Sequence, residues 1–409
     1  MVHHHQPPLP RPGEQVECGD RGSALVSEEV LVDCDPGRVT VDRGRGVGEQ
    51  ELQRLRAPEQ GGEGADDRPP AAEAGPSRVR TDGAVGVLPD TAHGVEVTGL
   101  ERVVKGLVGA QDRVIPIDRA TITARDVAYR PGPVDDGIRA LSDDGSEVAA
   151  YDFGGEGEAL LLAHATGFHA HLWLPVVAVL RPHFHCYAFD ARGHGASGTP
   201  SSGDFDWRRS GDDARAVAAA FGLKQPRVAG HSGGAAALLL AEADRPGSWT
   251  ALWLYEPVVP DWSTFPGGNP LVDGALRRRE RFPTRDNALR NFAGKPPFDA
   301  FTPEALRLYV DYGFVDGPDG DVMLACRRED EAATYAGSVP ADPRSRLREV
   351  HVPAHVACGG RGDHQSPVTM AAAVGLLPDG ELEIMSGLGH FGPFEDPPRV
   401  ARSIIAALT

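Results

Sequence analysis

The stretch VAGHSGGAAALLLAEA, residues 228–243, places one serine among glycines where a short apolar run meets an alanine- and leucine-rich run. Its centre, Gly230-His231-Ser232-Gly233-Gly234, matches the pattern G-x-S-x-G, in which a serine occupies a sharp strand-to-helix turn. Glycine accounts for 50 of the 409 residues, so the pentapeptide by itself is weak support for a nucleophile. Its meaning depends on a strand before it, a helix after it, and an acid and a histidine later in the chain.

The surrounding sequence alternates between apolar runs and helical patterns. EALLLAHATG, PRVAGHS, TALWLYEPVV and VHVPAHVACGG predict strands, whereas SGDDARAVAAAFGL, GGAAALLLAEAD, SPVTMAAAVGLL and PPRVARSIIAALT predict helices. Such alternation predicts an α/β fold, a mostly parallel central sheet with helices on both faces. Ahead of these elements, IRALSDDGSEVAAYDFG predicts a β-hairpin that turns at Asp144-Gly145.

Residues 260–348 interrupt this alternation with charged helical patterns between two predicted strands. An excursion of this length predicts a helical cap over the carboxyl ends of the strands, where open α/β sheets bind ligands. Arg277, Arg278, Arg279 and Arg281 either attract a carboxylate or form an exposed helix face. The aromatic residues of the segment either wall an apolar pocket or form the core of the cap: Trp262, Phe265, Phe292, Phe298, Phe301, Tyr309, Tyr312 and Phe314.

The first 130 residues differ in composition from the remainder. Every Phe, Trp and Tyr lies at or after Tyr129, and the segment before it contains one lysine, Lys105. A segment without aromatic side chains and with few long apolar ones buries too little surface to offset the entropy of ordering. We therefore predict a low-complexity, disordered extension over residues 1–130 and a folded domain over residues 135–409. An overlong gene start in GC-rich DNA would give the same composition, and it explains the excess of arginine over lysine better than a regulatory extension does.

The chain is strongly acidic, with a formal net charge of −18 at pH 7. Nucleic acids and anionic membranes bind basic faces, so we expect neither as a partner and expect a small-molecule substrate; a homo-oligomer stays open. No apolar run in the sequence is long enough to span a bilayer, and the N-terminus has no apolar signal-peptide core. Five scattered cysteines without C-x-x-C spacing fit a reducing compartment, and together these features predict a cytoplasmic protein.

A serine hydroxyl is a poor nucleophile without a base, and the later sequence offers one. His390 lies in SGLGHFGPFEDPP, a glycine-rich loop between the last predicted strand and the last predicted helix. Asp363 in ACGGRGDHQSP follows an apolar strand, and we predict it as the acid that orients the imidazole. Glu256, which follows the preceding strand in LYEPVV, is the alternative acid. The chain order Ser232, Asp363, His390 is the order typical of a serine at such a turn.

The oxyanion that forms on attack by the serine needs two N–H donors. Gly233, the residue after the nucleophile, supplies one, and we assign the other to Thr166 in the loop after EALLLA, with Phe168 as the alternative. We expect His231, Phe168 and Trp262 to contact the substrate. Neither a metal nor a cofactor is predicted, because the histidines of this region have no carboxylate or cysteine at ligand spacing; they are His164, His169 and His171.

These motifs resemble those of the α/β-hydrolase superfamily, over residues 135–409. LLLAHATG is similar to the family's oxyanion strand and loop, FDARGHGASG to its D-x-R-G-x-G-x-S loop, and GHSGG to its nucleophile elbow, with Gly233 where methionine is frequent. GGRGD and GLGHFGPFEDP resemble its acid and histidine motifs. The resemblance implies the α/β-hydrolase fold, a Ser-His-Asp triad, and hydrolysis of an ester, lactone, thioester or amide, less often of a carbon–carbon bond. Serine in the elbow counts against the haloalkane dehalogenases and epoxide hydrolases of the superfamily, which use aspartate there.

Three hypotheses for the function follow. The first is a serine hydrolase that acts on a small carbonyl substrate (an ester, lactone or thioester) through an acyl-enzyme. The second is a carbon–carbon bond hydrolase or a cofactor-free perhydrolase with the same triad. The third is a non-catalytic ligand-binding protein of the same fold, which would have no need to retain all three groups of the triad.

Overall fold

The computed structural model describes residues 137–409 throughout and, before them, the backbone of five strands. Three of these form an antiparallel sheet in a unit that spans Met1–Ala71, and the other two belong to a second unit, Ala72–Thr409. The rest of the predicted extension lies outside the described residues, so its disorder stays a prediction. The five strands are β1 (Gly22–Ser27), β2 (Val30–Asp35), β3 (Arg38–Arg43), β4 (Arg78–Thr81) and β5 (Ala84–Val87).

From residue 137 onward, the second unit contains eleven further strands. They are β6 (Ile138–Leu141), β7 (Glu147–Gly155), β8 (Glu158–Ala163), β9 (Phe184–Phe189), β10 (Arg227–His231), β11 (Leu252–Tyr255), β12 (Arg281–Phe282), β13 (Phe314–Asp316), β14 (Val322–Leu324), β15 (Ala354–Gly359) and β16 (Gly380–Met385).

The helices of the same residues lie mostly between these strands. In the part of the chain that the structure describes, every helix is too short or too polar to cross a lipid bilayer. The helices are α1 (Leu174–Leu180), α2 (Trp207–Ala220), α3 (Gly233–Asp244), α4 (Leu271–Leu276), α5 (Arg285–Ala293), α6 (Pro303–Gly313), α7 (Arg328–Ala341), α8 (Pro367–Val374), α9 (Gly392–Glu395) and α10 (Pro397–Leu408).

A ten-stranded sheet in the order β5-β4-β16-β15-β11-β10-β8-β9-β7-β6 forms the centre of the second unit. Every pairing from β4 to β9 in this order is parallel, and β5, β7 and β6 add antiparallel pairings at the two edges. The predicted hairpin at Asp144-Gly145 is the antiparallel pair β6–β7. The mostly parallel sheet that the sequence predicted is therefore confirmed.

Both faces of the sheet are apolar, because successive side chains of a strand point to opposite sides. In β8, Leu161 packs with the layer formed by α2, α3 and α8, whereas Leu160 and Leu162 pack with the layer formed by α1 and α10. β11 alternates in the same way, with Leu254 in the first layer and Trp253 in the second. The continuous apolar runs of the sequence thus fill two cores rather than one, and the predicted helix layers on both faces are confirmed.

The segment between β11 and β15, residues 260–348, is inserted into this framework and is called the inserted segment below. The sequence predicted helices here, and the structure adds a small antiparallel sheet in the order β12-β14-β13 to α4, α5, α6 and α7. A turn at Gly317, whose N–H donates to the Asp321 carbonyl at 2.8 Å, joins two of its strands. The Pro318-Asp319-Gly320 sequence in this turn is the local feature that explains the additional hairpin.

Most aromatic residues of the inserted segment form its core rather than a substrate wall. They pack in one cluster with Phe168 from the main fold and with Phe391 and Phe394 from the loop that carries His390. The cluster therefore attaches the inserted segment to two loops at the carboxyl end of the sheet. The buried aromatic residues of the segment are Phe282, Phe292, Phe301, Tyr309 and Phe314.

The turn from β10 to α3 requires glycine on both sides of Ser232. A Cβ atom at Gly230 would lie 2.7 Å from the Ala235 Cα, and one at Gly234 would lie 2.3 Å from the His164 carbonyl oxygen. Both neighbours are backbone atoms, so no side-chain rotation relieves the overlap. The glycines of the motif are thus explained by the close approach of the helix to two strands.

We expect Gly234→Ala to lower the free energy of unfolding by about 1–3 kcal/mol or more, because the added methyl group overlaps a backbone carbonyl. Gly274→Ala is the matched control, since Gly274 lies inside α4 with open space around it. That substitution should be neutral or stabilise by up to about 1 kcal/mol. Urea unfolding of the two variants measures the difference, and an unchanged midpoint for Gly234→Ala would contradict this account of the turn.

Candidate active site

Ser232 occupies the turn between β10 and α3 in a strained backbone conformation, with φ 56° and ψ −118°. Such a conformation costs about 1–3 kcal/mol for a residue other than glycine. It is held by a hydrogen bond from the Ser232 N–H to the Tyr255 carbonyl (2.9 Å) and by one from the Ala236 N–H to the Ser232 carbonyl (3.1 Å). The side chain is 7% exposed and lies at the N-terminus of α3, where the helix dipole favours negative charge.

The His390 imidazole joins Ser232 to a carboxylate. Its Nε2 lies 3.0 Å from the Ser232 Oγ, and its Nδ1 lies 2.6 Å from a carboxylate oxygen of Glu256. An ionised carboxylate only accepts hydrogen bonds, so Nδ1 carries the proton and Nε2 is free to accept the serine proton. The structure therefore brings together the nucleophile and the base that the sequence predicted.

Glu256 is fully buried at the end of β11 and also has a positive φ, 41°. Its second carboxylate oxygen accepts a hydrogen bond from the Gly359 N–H at 2.8 Å, and its own N–H donates to the Ala357 carbonyl at 2.8 Å. The Gln365 side-chain amide donates to the Glu256 carbonyl at 2.8 Å. Both carboxylate oxygens and the backbone of Glu256 are thus fixed, which holds the carboxylate against the imidazole.

The prediction that Asp363 orients the imidazole is wrong for this structure. One Asp363 oxygen accepts the backbone N–H of His390 at 2.9 Å, and the other lies 3.2 Å from the Arg361 guanidinium. Partial burial alone would raise the pKa of Asp363, but the His390 N–H and the Arg361 charge hold it below its usual value. Asp363 therefore holds the backbone of the histidine loop, whereas Glu256, the alternative acid, reaches the ring.

The histidine loop is fastened at further points around Asp363. Arg361 makes two hydrogen bonds of 2.9 Å to the Glu395 carboxylate, and Glu395 also accepts the Gly389 N–H at 3.2 Å. The Tyr255 hydroxyl donates to the Gly389 carbonyl at 2.7 Å. These contacts immobilise the loop on both sides of His390.

The prediction that His231 contacts the substrate is also wrong for this structure. His231 is fully buried beneath the histidine loop, and its Nε2–H donates to the His390 carbonyl at 2.8 Å. Burial, together with the neighbouring His390, holds the pKa of His231 well below its usual value, so the ring is neutral. Its ring also packs edge-on against Phe391 and Phe394, so it supports the histidine loop from below.

The loop after β8 lies beside the serine, as predicted for an oxyanion site. The N–H groups of Thr166 and Gly233 have no acceptor in the described part of the chain, whereas the Phe168 N–H donates to the Ala165 carbonyl at 3.1 Å. This decides between the two assignments made from the sequence, and Thr166 is the available donor. A Cβ atom at Gly233 would lie 2.5 Å from the Thr166 hydroxyl oxygen, so the two residues are in close contact.

The same loop is held rigid by its own histidine and by the inserted segment. The His164 Nδ1–H donates to the Ala165 carbonyl (2.8 Å), and its Nε2 accepts the Ala191 N–H (2.9 Å); burial lowers the pKa of His164 to about 4. Gly167 has φ 84°, and a Cβ atom there would lie 2.8 Å from a Glu331 carboxylate oxygen of α7. The loop is therefore positioned by neutral hydrogen bonds on one side and by the inserted segment on the other.

A cavity of about 680 Å³ opens onto Ser232 and His390. Phe168 and Trp262 line it, as the sequence analysis expected of substrate contacts, and Phe265 and Phe391 add apolar surface. Its polar wall includes Asp261, Asn269, Arg344, His364 and Gln365. The volume suits a small molecule, and the mixture of apolar and polar walls is typical of ligand sites.

Two of the cavity residues that were not identified from the sequence carry basic side chains, His364 and Arg344. His364 stacks on His390 with ring centroids 4.8 Å apart, and burial, reinforced by the neighbouring His390, lowers the pKa of His364. One sequence signal pointed to His364: it directly follows Asp363, the acid that was predicted for the site. Arg344 follows α7 at the far end of the inserted segment, and no local motif distinguishes it.

The arginines at 277–281 do not line this cavity. Arg278 is half-buried and pairs with Glu331, and it donates to the Tyr309 hydroxyl at 2.6 Å. Arg279 lies over the Phe282 ring at 4.3 Å, and Arg281 pairs with Asp321 at 3.0 Å. The run is therefore mainly a structural element of the inserted segment.

Known proteins resemble the chain in both sequence and structure. N-formylmaleamate deformylase of Pseudomonas putida is 26% identical over 246 residues, which are 60% of this chain and 86% of that protein. The structure of an E-2-(acetamidomethylene)succinate hydrolase matches with a TM-score of 0.58 at 21% identity, over 66% of this chain and 98% of that one. A thermophilic esterase from Thermogutta terrifontis matches with a TM-score of 0.53 at 18% identity, over 65% of this chain and 96% of that one.

A family model described as the alpha/beta hydrolase family matches residues 160–403, from within β8 to within the last helix. This range contains most of β8, the parallel strands β9, β10, β11, β15 and β16, the turn with Ser232, and the loop with His390. The strand order, the strained serine and this match agree, and the chain belongs to the alpha/beta hydrolase family.

Proposed function

We propose that the protein is a serine hydrolase that acts on a small carbonyl substrate such as an ester, lactone or thioester. The observation that carries the proposal is the hydrogen-bonded series Ser232–His390–Glu256, with contacts of 3.0 and 2.6 Å, at the wall of a cavity of about 680 Å³. A hydroxyl, an imidazole and a buried carboxylate in this arrangement are the groups that acyl transfer requires.

The mechanism follows from the positions of these groups. His390 Nε2 takes the proton of Ser232 as its Oγ attacks the substrate carbonyl, and Glu256 stabilises the imidazolium that results. The N–H groups of Thr166 and Gly233 stabilise the oxyanion. His390 then protonates the leaving group, and after it departs the same imidazole activates a water molecule that hydrolyses the acyl-enzyme.

Amide cleavage is a second candidate, favoured by the name of one relative of this chain. The deformylase that is 26% identical to this chain over most of its own length acts, by its name, on N-formylmaleamate. The same three residues serve an amide, because His390 protonates the departing nitrogen. A carbon–carbon bond hydrolase and a perhydrolase would use the same residues as well, and a non-catalytic binder would use none of them.

We expect a fluorophosphonate probe to form one covalent adduct on the folded protein, at Ser232, because His390 activates only this hydroxyl. Ser232→Ala should abolish labelling, and Ser201→Ala, at an exposed serine, should leave it unchanged. Intact-protein and peptide mass spectrometry locate the adduct. Folded protein that remains unlabelled would favour the non-catalytic binder.

A substrate panel separates the catalytic candidates. We expect wild-type protein to hydrolyse short-chain p-nitrophenyl esters, with turnover lost in Ser232→Ala. The panel also contains an N-formyl amide, a vinylogous diketone, and acetate with hydrogen peroxide, which report amide, carbon–carbon and perhydrolase activity. Turnover confined to one of the last three compounds would replace ester hydrolysis by that activity.

The two carboxylates near His390 should differ in their effect on turnover. We expect Glu256→Gln to lower kcat by about 10³- to 10⁴-fold, because the amide no longer stabilises the imidazolium or its tautomer. Asp363→Asn retains an oxygen for the His390 N–H, so a loss of at most about tenfold is expected. Steady-state kinetics on one ester measures both variants. A larger loss in Asp363→Asn than in Glu256→Gln would reverse the assignment.

A further inference from the structure

A single guanidinium lies on the cavity wall. Arg344 is the only lysine or arginine among the described residues that line the cavity containing Ser232 and His390. It is half-buried, and its one hydrogen bond within the described chain is a long one, 3.4 Å, from a terminal nitrogen to the Val259 carbonyl. None of the ion pairs among the described residues involves Arg344, so most of its donors are available to a ligand.

The backbone before Arg344 has a defined conformation that places this residue at the cavity wall. α7 ends at Ala341, and Asp342 adopts a left-handed conformation with φ 39°. Pro343 then starts a 3-10 helix, Pro343–Glu349, in which Arg344 is the second residue. The strained residue and the proline end α7 and start the 3-10 helix, so the backbone position of Arg344 is fixed by the fold.

The other charged groups of the cavity do not neutralise Arg344. Asp261 lies on the same wall, but it is exposed, and its carboxylate accepts the Ser263 N–H at 3.0 Å. The pKa of Asp261 lies below its usual value, chiefly because of the hydrogen bonds from Ser263 and to a small extent because of the Arg344 charge. The two histidines of the wall are His364 and His390. The whole chain carries a net charge of −18. The positive charge of Arg344 is therefore confined to the cavity and is not part of a generally basic protein.

We infer that Arg344 binds a carboxylate of the substrate, so that the substrate of this site is an anionic acyl compound with a second, free carboxylate. The inference rests on the proposed function and names its substrate class. A guanidinium offers two parallel N–H groups that match a carboxylate, and such a pair is stronger in a half-buried cavity than at an exposed surface. One end of the substrate is thereby fixed while its reactive carbonyl lies at Ser232.

The alternative is that Arg344 only fastens the inserted segment to the strand end through the Val259 carbonyl. That role predicts a loss of stability and equal losses for charged and neutral substrates. A carboxylate-binding role predicts a loss for charged substrates alone. The two roles are therefore distinguished by the ratio of two activities.

The test compares mono-p-nitrophenyl glutarate with its methyl ester, which has the same leaving group and a neutral acyl end. We expect wild-type protein to prefer the anionic ester in kcat/KM, and Arg344→Met to lower kcat/KM for it by roughly 10- to 100-fold, mainly through KM. The methyl ester should change by less than about threefold. Arg344→Lys should retain part of the preference, because it keeps the charge and loses the paired N–H geometry.

Arg348→Met is the matched control, since Arg348 lies in the same 3-10 helix, is exposed and does not line the cavity. This variant should keep the full preference. As a second measurement, glutarate should slow fluorophosphonate labelling of Ser232 in wild-type protein and fail to do so in Arg344→Met. Thermal unfolding of each variant shows that it is folded.

An unchanged preference in Arg344→Met, or equal losses for both esters, would overturn the role of Arg344. Hydrolysis of the methyl ester without any preference for the anionic ester would do the same and leave the serine hydrolase intact. Failure of wild-type protein to cleave either ester, together with absence of labelling at Ser232, would instead overturn the proposed function.

Discussion

The register between two neighbouring parallel strands determines where the nucleophile and the acid lie. His231 at the end of β10 pairs with Tyr255 at the end of β11, so Ser232 and Glu256 are the next residue on each strand. Both have positive φ, 56° and 41°, and turn out of the direction of their strands. Because paired strands are about 4.8 Å apart, a hydroxyl and a carboxylate that leave them side by side lie within reach of one imidazole. The histidine loop then has only to hold the His390 imidazole between this hydroxyl and this carboxylate.

The elements of the fold and the site residues that short stretches of chain determine were predictable from the sequence. The strands and helices follow from apolar periodicity, and Ser232 follows from a turn that only glycine neighbours allow. His390 lies in a glycine-rich loop at the corresponding end of the sheet. Thr166 and Gly233 follow from their places beside the serine. Each of these inferences depends on residues close together in the chain or on the common edge at which parallel strands end.

The choice of acid was not predictable in this way. Asp363 and Glu256 both follow apolar strands, and sequence spacing does not distinguish them. The difference lies in geometry: Glu256 is adjacent to its strand and has a side chain one methylene longer, whereas Asp363 comes after β15 has ended at Gly359 and the loop has turned. The cavity position of Arg344 and the pairing of Arg278 with Glu331 were not predictable for the same reason, since the partners come from elements that only tertiary packing brings together. The hairpin in the inserted segment and the strand β4 beside β16 were likewise absent from the prediction.

The contact between Gly233 and Thr166 has a consequence for any attempt to redesign this protein. The two positions occupy one shared volume beside the nucleophile, because even a methyl group at 233 would meet the threonine hydroxyl. Enlarging the residue after the serine thus calls for a rotated threonine side chain or a smaller residue at position 166. The two positions are therefore best varied together, because the side chain chosen at one sets the space left for the other.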